Sequence, residues 1–267
     1  MNILDRIIAY KKEEVAVRKL LVPEEELRDS ILFRRECSSL KKILQEGKST
    51  GIIAEFKRRS PSKGFINQNA DVRKITNDYT KYGASALSVL TDNHFFGGNI
   101  EDLIIARENE IPILRKDFII DRYQLFASKA MGADIVLLIA ACLSKREVKE
   151  LAAVAKGLGL EILLEIHDES ELDHICDEID LVGINNRNLK DFEVNINRSI
   201  SLSKLIPEEK IKIAESGIDC IETINIFKEH GYKGFLIGEK FMKEKDPGKA
   251  FCNFVDTMSD SNKLINP

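Results

Sequence analysis

Short apolar runs recur along the chain, each closed by a polar or charged residue, with longer amphipathic stretches between them. Such runs are Ile52-Ile53-Ala54-Glu55-Phe56-Lys57, Ile113-Leu114-Arg115-Lys116-Asp117, Glu161-Ile162-Leu163-Leu164-Glu165, Leu181-Val182-Gly183-Ile184-Asn185 and Ile211-Lys212-Ile213-Ala214-Glu215-Ser216-Gly217. Short continuous apolar strands alternating with helices indicate a parallel sheet covered on its outer face. A carboxylate or ammonium at the end of a buried strand is costly unless it is paired or used. Several such ends on one chain imply a polar face built from many strands, which is how a (β/α)8 barrel makes an active site.

From about residue 50 the pattern predicts strands near 52–56, 86–90, 113–115, 135–139, 161–165, 181–184, 211–214 and 234–237. Helices fit between them, over 71–82, 99–109, 121–131, 144–156, 168–176, 196–205, 220–230 and 247–258. Tyr82-Gly83-Ala84-Ser85-Ala86-Leu87 and Met131-Gly132-Ala133-Asp134-Ile135-Val136 share one punctuation: a helix, a left-handed glycine, a strand. Gly159 and Gly231 sit at comparable junctions. No Pro- or Ser-rich linker divides the chain, so 1–267 reads as a single α/β domain. It comprises a (β/α)8 TIM barrel over 48–267 and an N-terminal helical extension over 1–47. In the extension Ile3, Leu4, Ile7 and Ile8 share a helical face, followed by Val15 and Leu20. Pro23 then opens a second helix, with Glu24, Glu25 and Glu26 at its positive end. The extension reads as a cap on the barrel, or as part of a pocket wall.

A doubly wound sheet is the structural rival, and it would carry a Gly-rich dinucleotide loop after its first strand. Here the first strand runs into Lys57-Arg58-Arg59-Ser60-Pro61-Ser62-Lys63-Gly64, which is basic and contains no G-x-G-x-x-G. At a strand's C-terminal end, such a loop suits a phosphate or carboxylate.

Composition narrows the class. Hydrophobic residues make up 43% and charged residues 31%, so the chain can bury a core and stay soluble. The net charge of −4 shows no bulk basic excess for nucleic acid. Cys37, Cys142, Cys176, Cys220 and Cys252 form no C-x-x-C pair and read as reduced packing residues of a cytoplasmic protein. Acid and base at Asp5 and Arg6 come too early for a signal peptide, and the apolar run 135–143 is too short to span a bilayer. His94, His167, His174 and His230 show no metal-ligand spacing and read as lone surface histidines, with no metal expected. Asp92 could hold a cation with Glu55 or Glu215, but nothing requires it.

Candidate chemistry lies at the strand ends. Glu55 and Lys57 are two apart, so their side chains point to one side, as an ion pair or as a pair that binds substrate and handles protons. Lys116 ends the third strand as a general acid or carbonyl activator. Glu165 ends the fifth, where burial raises a carboxyl pKa and a neighbouring lysine lowers it; the sequence leaves open which wins. Glu215 precedes Ser216-Gly217, whose backbone N–H groups can approach an anion. Gly238 follows the eighth strand and opens a short helix, the usual barrel phosphate site. Phe95, Phe96 and Phe118 lie just past strand ends, to clasp a planar ligand or simply to pack.

Ala54-Glu55-Phe56-Lys57-Arg58-Arg59-Ser60-Pro61-Ser62-Lys63-Gly64 resembles the signature of the indole-3-glycerol-phosphate synthases. Further matches are Leu90-Thr91-Asp92 with Phe95-Phe96-Gly97-Gly98, Leu114-Arg115-Lys116-Asp117-Phe118 and Leu164-Glu165-Ile166-His167. Gly183-Ile184-Asn185-Asn186-Arg187-Asn188-Leu189, Ala214-Glu215-Ser216-Gly217-Ile218 and Gly238-Glu239 before Phe241-Met242 complete them. The resemblance spans nearly the whole chain. It implies a (β/α)8 barrel of tryptophan biosynthesis that converts 1-(2-carboxyphenylamino)-1-deoxyribulose 5-phosphate into indole-3-glycerol phosphate, CO2 and water. It implies no cofactor, no metal and no obligate protein partner. Some members are fused to phosphoribosylanthranilate isomerase; this chain ends after one barrel and reads as monofunctional.

The roles that the resemblance implies are these. Lys116 is the general acid at the ketone. Glu165 is the first choice for acid–base work in the dehydration, with Lys57 and Glu55 as close rivals, and Lys57 also binds the departing carboxylate. Asn185, Arg187, Glu215 and Ser216 contact substrate hydroxyls and the reacting region, with Phe118 beside them. Ser60, Gly217, Gly238 and Glu239 serve the phosphate end, Glu239 through its backbone N–H. Lys240 and Asn186 depart from the family pattern, where a small residue and a serine are frequent. Two alternatives remain: a sugar-phosphate isomerase barrel, which would not need Lys57 and Lys116 together, and a non-catalytic partner subunit, which would be expected to lose Lys116 or Glu165.

Overall fold

The computed structural model of the chain describes residues 3–187 and 193–265, with side chains described as far as residue 260. Eight parallel strands close into a barrel: β1 (Ile52–Phe56), β2 (Ala86–Leu90), β3 (Ile113–Lys116), β4 (Ile135–Ile139), β5 (Glu161–Ile166), β6 (Leu181–Asn185), β7 (Ile211–Glu215) and β8 (Tyr232–Ile237). Each pairs with its neighbours in sequence, and β8 closes on β1 through Ile52–Phe235 and Ala54–Ile237. Closure removes the open sheet of the doubly wound rival. A hairpin of Arg59–Ser60 and Gly64–Phe65 projects from the loop after β1.

Before the barrel come α1 (Ile3–Leu21), α2 (Glu24–Asp29), a 3₁₀ turn (Ile31–Arg34) and α3 (Leu40–Glu46). Between and after the strands lie α4 (Val72–Lys81), α5 (Ile100–Ala106), α6 (Arg122–Ala130), α7 (Lys145–Gly157), α8 (Ile196–Ser203), α9 (Ile221–Glu229), α10 (Glu239–Met242) and α11 (Pro247–Ile265). Their starts follow local chemistry. Ser144 and Glu147 close a reciprocal cap on α7, and Asp121 with Gln124 does so on α6.

One expected helix is absent: 168–176 forms only a 3₁₀ turn, Glu169–His174. The connection from β5 to β6 is short, and a 3₁₀ turn rises about 2.0 Å per residue against about 1.5 Å for an α-helix. The tighter turn therefore returns the chain along the barrel in fewer residues.

The strand pleat sorts side chains into two cores. Phe56, Val89, Val136, Leu164, Ile184 and Phe235 face outward against the helices. Ile53, Leu114, Leu137, Leu163, Ile213 and Leu236 face inward, where Leu40 and Leu44 of α3 join them. The start of α3 is bound by the Glu161 carboxylate, which accepts from the backbone N–H of Leu40 and Lys41 and from the Ser39 hydroxyl. The expected apolar stripe of α1 is only partly realised. Its buried positions are Ile7, Lys11 and Val15, while Leu20 is 85% exposed.

Candidate active site

The inward rows of the barrel switch from apolar to polar at the C-terminal ends of the strands. Following the pleat by twos gives Ile53 and Glu55 on β1, continued by Lys57 just past its end; Leu114 and Lys116 on β3; Leu163 and Glu165 on β5; and Ile213 and Glu215 on β7. Arg115 has the opposite parity. It points to the helix layer and bonds Asp117 at 2.8 Å, Thr91 at 3.0 Å and Ser128 at 3.1 Å.

These ends enclose a cavity of about 300 Å³. It is lined by Glu55, Lys57, Ser60, Lys116, Phe118, Glu165, Asn185, Arg187, Glu215, Ser216, Gly217, Gly238 and Glu239. The cavity thus brings together all of the expected catalytic, substrate-binding and phosphate-binding residues, while Asp92 and Phe95 lie outside its lining. Lys57 and Lys116 both face it, neither turned into bulk solvent. Ile3, Leu4 and Ile7 of α1 complete the wall, so the extension lines the pocket.

Lys116 is central. Its Nζ lies 3.1 Å from Glu165 Oε2 and 3.5 Å from Glu215 Oε2. Burial opposes its charge, but Glu165, Glu215 and Glu55 outweigh it and hold the ammonium well above the usual lysine range. The two carboxylates diverge. Burial pushes Glu165 up, but Lys116, His167 and the Asn185 amide overcome it, and the group lies far below its ordinary range. Glu215 goes the other way, raised by burial and by Glu165 and Glu55 against the pull of Lys116. Its Oε1 is buried without a hydrogen-bond partner. Glu215 fits only because position 183 is glycine: a Cβ there would stand 2.1 Å from that oxygen.

On β1, Lys57 Nζ pairs with Glu55 Oε1 at 2.7 Å. Gly238, expected at the phosphate end, also makes room for this pair, since a Cβ would fall 2.7 Å from Glu55 Oε1. Asn185 Nδ2 donates to Glu165 Oε1 at 3.0 Å, and its Oδ1 accepts from the backbone N–H of Arg187 at 3.0 Å. Ser216 is the one non-glycine with positive φ among the described residues, at 69°, followed by Gly217 at 68°. Two successive left-handed residues turn backbone N–H groups into one concavity. Asn186 Nδ2 braces the turn by donating to Ser216 O at 2.7 Å. Across the mouth, Gly238 caps α10, and the Glu239 carboxylate pairs with Lys63 of the β1 hairpin loop. Phe118 packs at a tilt against Phe96, ring centroids 5.9 Å apart, and both line the cavity. Phe95 instead packs on Tyr10 and His94.

Residues 4–254 match a family model described as indole-3-glycerol phosphate synthase. The chain belongs to that family. It is 48% identical over 255 residues to the indole-3-glycerol phosphate synthase of Bacteroides thetaiotaomicron, covering 95% of this chain and 98% of the relative. The Campylobacter jejuni enzyme of the same name is 46% identical, covering 93% and 98%. The Bordetella pertussis enzyme is 41% identical, covering 95% and 99%. Among solved structures, the tryptophan synthase α subunit of Legionella pneumophila superposes with a TM-score of 0.61 at 15% identity, covering 84% of this chain and 98% of that one. The 3-hexulose-6-phosphate synthase of Salmonella typhimurium gives 0.62 at 11%, covering 79% and 99%. At that identity the likeness is one of fold. Members of the synthase family are decarboxylating carbon–carbon lyases of tryptophan biosynthesis, and this chain is one of them.

Three readings need correction or completion. His167 is not a surface histidine: it is buried at 8% exposure between Glu165 and Glu171. Its position two past Glu165 was the available signal. Asp92 holds a cation, but not with Glu55 or Glu215. The cation is Lys11 of α1, whose Nζ lies 3.0 Å from Asp92, 2.9 Å from Asp117 and 2.8 Å from Glu14. Lys11 stands midway between Ile7 and Val15 on the buried stripe, a spacing that marks it. Lys243 lines the cavity beside Lys240 and was not singled out. Asn188 and Leu189 of the Gly183–Leu189 motif lie outside the described residues. Among the described residues, no group of three His, Cys, Asp or Glu side chains is arranged for a metal, and no helix is long and apolar enough to cross a membrane.

Proposed function

We propose that the residues of this mouth close and aromatise the indole ring of 1-(2-carboxyphenylamino)-1-deoxyribulose 5-phosphate, with the following roles. Lys57 binds the aromatic carboxylate. Ser60, the Ser216-Gly217 turn and the backbone N–H groups at Gly238 and Glu239 bind the phosphate. Holding both ends bends the substrate and brings the ring carbon to the ketone, a proximity effect worth several kcal/mol. Lys116 donates its proton to the ketone oxygen as the carbon–carbon bond forms. The carboxylate then leaves as CO2, and its bonding electrons restore the aromatic ring. In the dehydration Glu165 removes the proton, and the Lys57–Glu55 pair protonates the departing hydroxyl. Asn185, Arg187, Glu215 and Phe118 orient the sugar hydroxyls and the ring.

The observation that carries this reading is the Lys116 Nζ, 3.1 Å from Glu165 Oε2 and facing the cavity, where Lys116, His167 and Asn185 hold the Glu165 carboxyl far below its ordinary range. A carboxylate held ionised is ready as a base, and an ammonium held charged is ready to stabilise a developing alkoxide. The chain acts as one domain, residues 1–47 with the barrel, in the cytoplasm, without nucleic acid, membrane or obligate protein partner. Indole fluorescence on adding the substrate tests the reaction, with low background because the chain has no Trp. A pH–rate series on Glu165→Gln, Lys57→Met and Glu55→Gln tests the roles: loss of the acid limb in any variant other than Glu165→Gln would reassign the base.

A further inference from the structure

His167 follows Glu165 by two residues, one past the end of β5, and its ring packs beside the Glu165 carboxylate. The imidazole does not line the cavity; it sits behind Glu165. Its Nε2 is 3.2 Å from Glu165 Oε1, yet buried and without a directed hydrogen bond, so the contact is one of charge rather than of aligned donor and acceptor. On the far side Nδ1 lies 3.3 Å from Glu171 Oε2, and the same oxygen accepts the backbone N–H of His167 at 2.6 Å. Glu171 belongs to the 3₁₀ turn that replaces the expected helix. The other groups facing this pair are Lys116 across Glu165, the Asn185 amide from β6 at 3.0 Å, and the Cys142 thiol. Burial and these two carboxylates hold that thiol neutral, so it adds no charge. Flanked by two carboxylates, the ring is pushed up to about 10 despite its burial.

We infer that His167, clamped as an imidazolium by Glu171, is a positioning residue that keeps Glu165 ionised and turns its second oxygen toward Lys116 and the substrate. The inference rests on Glu165 as the base of the proposed reaction. One oxygen of Glu165 is committed to Asn185 and His167, which leaves Oε2 alone to face the cavity. Without the imidazolium, Lys116 is the one cation paired with Glu165 among the described residues, and Lys116 is shared with Glu215.

The test is a 13C NMR titration of the Glu165 side-chain carboxyl, assigned by its loss in Glu165→Gln, together with kcat and KM against pH. In His167→Gln the carboxyl midpoint is expected at least one pH unit higher, a tenfold change in the ionisation ratio. On the acid side kcat falls about tenfold or more, recovers toward wild type as pH rises, and KM changes less than twofold. Glu171→Gln, at a partly exposed position, shifts the midpoint in the same direction by less, and carries the test if His167→Gln does not fold. Midpoints and profiles that superimpose on wild type in the folded variants overturn the inference, as does a kcat loss equal at every pH, which is the mark of a purely structural role. A wild-type protein that makes no indole-3-glycerol phosphate removes the proposed reaction instead; the titration, read without substrate, still decides the charge coupling.

Discussion

At the scale of the residue, the site is a chain of ionisable groups of alternating sign, Glu171, His167, Glu165 and Lys116, ending in Glu215, whose carboxyl pKa is raised by burial and neighbouring carboxylates. Each buried charge is tolerable because its neighbour has the opposite sign. Lys116→Ala removes the proposed proton donor at the ketone and is expected to lower kcat by a factor on the order of 10² to 10⁴ while leaving the circular dichroism spectrum unchanged. Near-normal turnover in that variant would end the role given to Lys116. His167 adds a pH signature. Its pKa is about 10 when folded, against an ordinary 6.5, so the stability it contributes is complete below about pH 6.5 and is lost as pH rises through about 10. Urea unfolding of His167→Gln should therefore decline less between pH 7 and 10 than wild type.

At the scale of the element, the strand ends were legible because a period of two is local. Once Leu163 and Leu114 face the interior, Glu165 and Lys116 must follow. What is not local is the room each side chain finds. The Glu215 carboxylate occupies space that a side chain at Gly183, the β6 residue paired with Ile213, would take. Gly183→Ala is expected to displace the carboxylate and cut kcat by about a hundredfold, with the barrel retained; a crystal structure with Glu215 unmoved and full activity would refute this. The first helix shows the converse. Its apolar spacing was readable, but its anchor is a buried ammonium that pairs with loops after β2 and β3. Lys11→Met leaves Asp92 and Asp117 without that cation and should cost about 3 to 5 kcal/mol in denaturant unfolding. It should also raise KM, because Ile3, Leu4 and Ile7 of the same helix wall the pocket.

At the scale of the whole molecule, the chain treats the two ends of its barrel differently. Leu40 and Leu44 fill the base, while α1 leans over the mouth and leaves the cavity open. The proposed roles draw on ammonium, carboxylate and amide groups, so EDTA is expected to leave turnover unchanged; activity lost and then restored by a divalent cation would contradict it. The alternation of apolar runs with amphipathic stretches determined eight parallel strands and the identity of the polar rim, because periodicity and strand polarity are properties of neighbours in the chain. The long first motif determined the family. Tertiary structure alone decided the protonation pattern: whether burial or a cation governs Glu165 and Glu215 depends on which side chains from β1, β3 and β6 stand within about 4 Å, and no spacing along the chain records that. It also decided where Lys11 and His167 lie, since a charged residue on a buried face is explained only by the partner that folding brings to it.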